Sequence, residues 1–168
     1  MQYFALTIIG RDRPGIVAQV TEILYRLGFN IADSSCSILG GQFSMILIIS
    51  NPDISSKEQF EEDFRHLEET NLSVFIRTMK PGGEISPELA GEQCMISVYG
   101  ADKPGIVYQV AKVLGEHQIN ITDLNTKLIG TTEKPVYVMM IEAILPPNIE
   151  IDAVENWMTA LKKQLQVD

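Results

Sequence analysis

The sequence is poor in the residues from which many catalytic and metal centres are built. Its 168 positions hold two cysteines, two histidines and one tryptophan. Cys36 and Cys94 each stand alone inside a strand-like run. That excludes a disulfide framework and a Cys-x-x-Cys site, and both cysteines read as small buried apolar residues. His66 and His117 lie far apart with no Cys or carboxylate at ligand spacing, so no metal site and no cofactor is expected. A nucleophile elbow, a Walker loop and a dinucleotide fingerprint are also missing, which argues against an enzyme. No apolar run approaches the roughly 18 residues of a membrane span, and the start "MQYFALTIIG" has no secretory pattern. A cytoplasmic protein with no membrane contact is expected. Positive charge is scarce as well: 13 basic residues face 22 acidic ones, for a net charge of −9. Residues 1–80 carry −3 (7 basic, 10 acidic) and the rest −6 (6 basic, 12 acidic). Neither half offers the electropositive surface that direct nucleic-acid contact needs.

What the sequence does have is a phrase written twice. "GRDRPGIVAQV" begins at Gly10 and "GADKPGIVYQV" at Gly100. Each follows a β-branched, aromatic run that reads as a strand, "YFALTIIG" or "QCMISVYG". Each opens a helix with Pro14 or Pro104 placed in its first turn. Ile16, Val20, Ile23, Leu24 and Leu27 form one apolar stripe, which Ile106, Val110, Val113 and Leu114 reproduce ninety positions on. Then come two hairpins. "FNIADSSCSIL" and "QFSMILIIS" are joined by Gly40 and Gly41; "INITDLNTKLIG" and "PVYVMMIEAIL" are joined by the longer "TTEK".

A second amphipathic helix is expected over residues 55–69, with capping boxes at Ser55 and Ser56 and Phe60, Phe64 and Leu67 inward. "LSVFIRTM" closes the first repeat as a strand. In the second repeat Asp152 caps a helix with Val154, Met158, Leu161 and Leu165 inward. Aligning Leu161 on Leu67 sets Asp168 opposite Val74, so the sequence ends where the last strand of this repeat should begin: that strand is absent, lies outside the given residues, or is supplied by another segment, and in the last case the open apolar edge invites pairing into a homodimer. The domains read as 1–80, a linker at 81–92 rich in proline and glycine, and 93–168. The fold class is α+β: two βαββαβ repeats, each an antiparallel sheet with its helices on one face. "MILIIS" and "YVMMIEAIL" are apolar on both faces, so both of their faces are expected to be covered.

"DRPGIVAQVTEILYRLGFNI" and "DKPGIVYQVAKVLGEHQINI" resemble the ACT domain, a ferredoxin-like module that senses small molecules, commonly amino acids. The resemblance covers nearly the whole chain as a tandem. Within that family, the length and the "GxDRPGIV" wording resemble the glycine cleavage system transcriptional repressor group. The resemblance implies regulation through an amino acid, such as glycine, and through a protein partner, such as a transcription regulator, with no catalysis. It also implies a ligand site at the residue two before the proline and at the Asn that opens the second strand: Asp12 with Asn30, and Asp102 with Asn120. Several members carry Asn where this chain has Asp, which removes a donor, adds charge and leaves the ligand's identity open.

Physical reasoning points to the same turns. Exposed amides at a helix start suit a carboxylate. Gly15 and Gly105 leave the approach clear, Pro14 and Pro104 set the turn without wasting a donor, and Asp12 and Asp102 can meet an ammonium group. Arg13 and Ile16, with Lys103 and Ile106, complete the candidate sites. Each position also has a plainer reading. Asp12 can cap the first helix, Asn30 and Asn120 can be left-handed turn residues, Arg13 and Lys103 can be solvated charges, and Gln19 and Gln109 need no function. His117 reads as a partly buried helix-end residue and His66 as exposed. A ligand-free association module therefore stands beside the ligand-binding regulator.

Overall fold

Alternate side chains of the first strand point to one side, and everything else in the first half is arranged to cover them. β1 (Gln2–Arg11) buries Phe4, Leu6 and Ile8 completely. α1 (Ile16–Arg26) lays Ile16, Val20, Ile23 and Leu24 over them, the stripe its spacing predicts. β2 (Asn30–Leu39), β3 (Gln42–Asn51) and β4 (Leu72–Thr78) complete an antiparallel sheet in the order β2-β3-β1-β4. In the computed structural model, which describes residues 1–80, 91–131, 134–165 and 167, the chain divides into two compact units, Met1–Glu84 and Ile85–Asp168. Most of the expected linker lies outside the described residues.

The second unit repeats the plan. β5 (Glu92–Gly100), β6 (Asn120–Thr131) and β7 (Lys134–Leu145) are ordered β5-β7-β6, with α3 (Ile106–Glu116) and α4 (Ile151–Leu165) beside them. Both units are α+β and ferredoxin-like, and among the described residues nothing takes β4's place beside β5. Val167 does stand where that strand would begin. A Cβ on Gly10 would strike Leu72, and one on Gly100 would strike Val167 at 2.8 Å. Val167 is thus the counterpart of Leu72, one position away from the sequence alignment, which had set it opposite Ser73.

Several expectations need correction. The helix predicted over 55–69 is broken: two short 3-10 turns (Lys57–Gln59 and Glu61–Phe64) precede α2 (Arg65–Glu68). The apolar spacing was sound, since Phe60, Phe64 and Leu67 are all buried. The break falls at Phe60, whose φ of −143° leaves the helical region while its ring packs 4.7 Å from Phe29 and 5.0 Å from Phe4. Tertiary packing of an aromatic outweighs helix continuity there. The Ser56 box is present at the first of these turns, with Gln59 Oε1 accepting from the Ser55 and Ser56 backbone N–H groups. Asp152 lies inside α4, which begins at Ile151, so it does not cap the helix. Thr131 pairs with Lys134, so these two residues of "TTEK" belong to the strands, and the other two lie outside the described residues.

The expectation of two covered faces also fails within each unit. Ile46 remains 50% exposed, Phe75 60% and Met140 45%, all on the side of the sheet away from the helices. Cys36 is exposed because β2 is an edge strand beyond the reach of the helices, whereas Cys94 is half-buried.

Asn51 is a buried polar residue that the pattern does not reveal. Its Nδ2 donates to the carbonyls of Leu27 (2.9 Å) and Gly28 (3.1 Å) at the end of α1, and its Oδ1 accepts from the Asp53 N–H at 2.8 Å. It thereby satisfies carbonyls that a helix end leaves without partners. Asn51→Ala should lower stability by about 2 kcal/mol, because it strands those groups in a buried place; urea unfolding should show a lower midpoint at unchanged slope. Burial, with a smaller contribution from Glu92, raises the Cys94 thiol's pKa and keeps it protonated. Iodoacetamide at neutral pH should therefore alkylate Cys36 before Cys94, as mass spectrometry of timed samples would show.

Candidate ligand-binding turns

β1 ends at Arg11, and the chain must reverse at once to bring α1 back over the sheet. The Asp12 N–H donates to the Gly41 carbonyl at 2.9 Å, which ties the start of the reversal to the tip of the β2–β3 hairpin. Gly15 then adopts φ 93°, ψ −5°, the third-residue geometry of a type II turn with proline before it. Its carbonyl accepts the first helical bond, from the Gln19 N–H at 3.0 Å. Gly105 repeats this at φ 96°, ψ −5°, with the Gln109 N–H at 2.9 Å. The two copies therefore share backbone geometry at this point as well as sequence.

This geometry settles several of the plainer readings. The N-caps are Gly15 and Gly105, and no side chain caps either helix; Asp12 and Asp102 do not serve that role and are exposed. The prolines precede the helices, which start at Ile16 and Ile106, instead of occupying their first turn. A Cβ built on Gly15 or Gly105 would meet nothing within 4 Å, so glycine is needed there for its left-handed backbone. Ile16 and Ile106 are core residues, exposed by 1% and 2%, and they anchor the turn from beneath.

Arg13 is engaged within the protein. Its Nη2 donates to Gln19 Oε1 at 2.8 Å and to Thr70 Oγ1 at 3.0 Å, while Thr70 Oγ1 donates to the Leu67 carbonyl at 2.7 Å. Lys103 Nζ donates to the Leu165 carbonyl at 3.3 Å. In each unit the residue between Asp and Pro thus reaches the end of that unit's second helical segment, where a cation is favoured. Lys103 stays exposed while it makes this bond, whereas Arg13 is half-buried, and Gln19 acquires a role in holding Arg13.

Asn30 and Asn120 are exposed strand residues. The left-handed non-glycine residues among those described are Asn71 and Gln118, so the turn reading of Asn30 and Asn120 is wrong. Nor does a unit bring Asp12 and Asn30 together. Asn30 pairs with Ser50, which pairs with Tyr3, whereas Asp12 follows Arg11 at the other end of β1. Eight strand residues separate the two levels, about 26 Å. The register places Asn120 likewise, opposite Ile144, while β5 leads to Asp102 from Gly100 opposite Tyr137.

His117 caps the end of α3 and stacks on Trp157 with ring centroids 3.5 Å apart and planes 1° from parallel. It is a packing residue of unit 2, as its place in the apolar stripe implies. Trp157 itself gave no signal in the sequence, since it lies beside the α4 stripe.

The sequence matches the ACT-domain family twice, over residues 2–74 and again over residues 95–150. The chain is a tandem ACT-domain protein. It is 27% identical over 122 residues to the glycine cleavage system transcriptional repressor of Escherichia coli (strain K12), an alignment covering 73% of this chain and 63% of that protein. The chain thus spans less than two thirds of the length of that curated relative. Among solved structures, an unknown protein from Galdieria sulphuraria shares the fold of this ACT pair at a TM-score of 0.83 and 23% identity, covering 99% of this chain and 95% of that one. A candidate glycine cleavage system transcriptional repressor does so at a TM-score of 0.70 and 23% identity, covering 99% and 94%. At that identity the likeness is one of fold.

Gly15→Ala places an L residue at φ 93° in both the turn and the cap of the first ACT domain. It should cost about 1–2 kcal/mol in urea unfolding, with Gly105→Ala producing a similar loss in the second domain.

Proposed function

We propose that this protein is a non-catalytic regulator that binds a small amino acid, such as glycine, at its Pro-Gly turns and modulates a protein partner, a transcription factor being the class that fits best. One observation carries the reading: two turns with the same backbone angles each present a helix start with no side-chain cap and an exposed aspartate two residues before the proline. Uncapped amides at the positive end of a helix suit a carboxylate, and the aspartate suits an ammonium group. An α-amino acid carries both charges. The likeness to the repressor of Escherichia coli supports a regulatory role. Among the described residues no helix is long and apolar enough to cross a membrane, which agrees with a cytoplasmic site of action. The acidic charge balance favours a protein partner over direct nucleic-acid contact.

The turn residues bear this proposal. No single unit can offer both Asp12 and Asn30 to one small ligand, so Asn30 and Asn120 join a site only where a second module supplies them. Arg13 and Lys103, held by their own units, act on the ligand through the shape of the turn.

The engagement of those two cations favours a second reading, in which the turns only build the fold and the ACT pair is an association module without a ligand. Calorimetric titration with glycine and the other common amino acids separates the two. Under the first reading at least one amino acid binds, and Asp12→Ala with Asp102→Ala weakens it about tenfold or more. Stability should change by no more than about 0.5 kcal/mol, because both side chains are exposed. Absence of heat and of any thermal shift across the whole set would remove the sensing role and leave the association module.

A further inference from the structure

The first Pro-Gly turn is fastened to the corner between α2 and β4, and the fastening runs through one side chain. The Arg13 Nη2 group has two hydrogens and spends them on two elements. One goes to Gln19 Oε1, in the first turn of α1, at 2.8 Å, and the other to Thr70 Oγ1, at the corner, at 3.0 Å. The direction is fixed at Thr70. Its one hydroxyl hydrogen goes to the Leu67 carbonyl at 2.7 Å, so its oxygen accepts from Arg13. Alongside this link the main chains are in close contact. A Cβ on Gly10 would lie 2.4 Å from the Asn71 carbonyl oxygen, and Asn71 holds a left-handed φ of 62°, which is costly for a residue other than glycine. The corner is thus seated on the end of β1 and clipped to the turn by Arg13, while the Asp12 N–H ties the turn to the Gly41 carbonyl. Unit 2 repeats the connection with different atoms. Lys103 reaches Leu165, two residues before Val167, as Thr70 stands two before Leu72.

We propose that Arg13 is a positioning residue that couples the first Pro-Gly turn to the start of β4, so that the turn and the corner open and close together. The donor is charged and half-buried, which strengthens its bonds over those of a neutral surface group. Both acceptors belong to segments that are already anchored: the Gln19 N–H is bonded to the Gly15 carbonyl, and the Thr70 N–H to the Leu67 carbonyl at 3.0 Å. The link therefore joins two ordered elements instead of a mobile side chain to solvent. β4 is the last strand of unit 1, and through it the chain continues toward unit 2. The use of this coupling in regulation rests on the reading of the turns as amino-acid sites. A ligand that favours the closed turn stabilises the corner, and a corner that is held raises the ligand's affinity by the same factor.

The test reads amide exchange in the full chain by NMR, first with no ligand present. Its two reporters are the Gln19 N–H, bonded to the Gly15 carbonyl in the turn, and the Asn71 N–H, bonded to the Glu68 carbonyl at the corner. Thr70→Val should speed exchange at Gln19, and Arg13→Met at Asn71, each by about threefold or more relative to the β3 amides. Thr70→Ser, which keeps the hydroxyl, should exchange like the parent chain. The double variant Arg13→Met with Thr70→Val should exchange at Gln19 no faster than Arg13→Met alone, because the link is already gone. Effects confined to the reporter on the mutated side, or a double variant that adds the two single effects, overturn the proposal. A second measurement adds glycine. If glycine binds, it should slow exchange at Asn71 in the parent chain and not in Arg13→Met; binding that leaves Asn71 unchanged in the parent chain also overturns the coupling. If glycine does not bind, that failure belongs to the sensing role, and exchange in the ligand-free chain still decides for or against the clip.

Discussion

Each unit depends on the reversal of the chain at the end of its first strand. Three consecutive inward side chains of β1, Phe4, Leu6 and Ile8, are completely buried, and α1 must return over them without slack. A left-handed glycine achieves this in one residue, after which Ile16 is already in the core. The same geometry leaves the helix without a side-chain cap. The feature available to a ligand is therefore a consequence of how the fold is closed, and the fold would need the glycine whether or not a ligand existed.

The repeats share that reversal and differ in what surrounds it. Unit 1 ties its turn to Gln19 and Thr70 through Arg13, and unit 2 ties its turn to the Leu165 carbonyl through Lys103. Unit 1 ends α1 with Gly28 at φ 72° and closes it with Asn51; unit 2 has Gln118 at φ 57°, and the strand register sets Leu145 in the place of Asn51. Unit 1 seals its core with β4, while among the described residues of unit 2 β5 pairs only with β7. The duplication therefore preserves the turn and lets the rims diverge.

Most of the architecture was legible because it rests on local periodicity. The stripe from Ile16 to Leu24 and the strand run of β1 are properties of a few adjacent residues, and a short window shows them. The broken segment before α2 was not legible, because Phe60 leaves the helix to meet Phe4 and Phe29, which are remote in sequence. Arg13 was misread for the same reason: Thr70 lies 57 positions away. Asn51 looked like the end of a strand, and its two carbonyl partners belong to the end of α1.

By itself the sequence determined the duplication, the α+β order, the inward stripes and the place of the two turns, since spacing and backbone preference act over neighbouring residues. Tertiary structure decided which polar groups are occupied and which surfaces stay open. It showed that Asp12 caps nothing, that Arg13 and Lys103 are held within their units, and that Asp12 and Asn30 sit at opposite ends of one sheet. Hydrogen-bond partnership and exposure depend on segments far apart in the chain, and only the fold brings those segments within reach of one another.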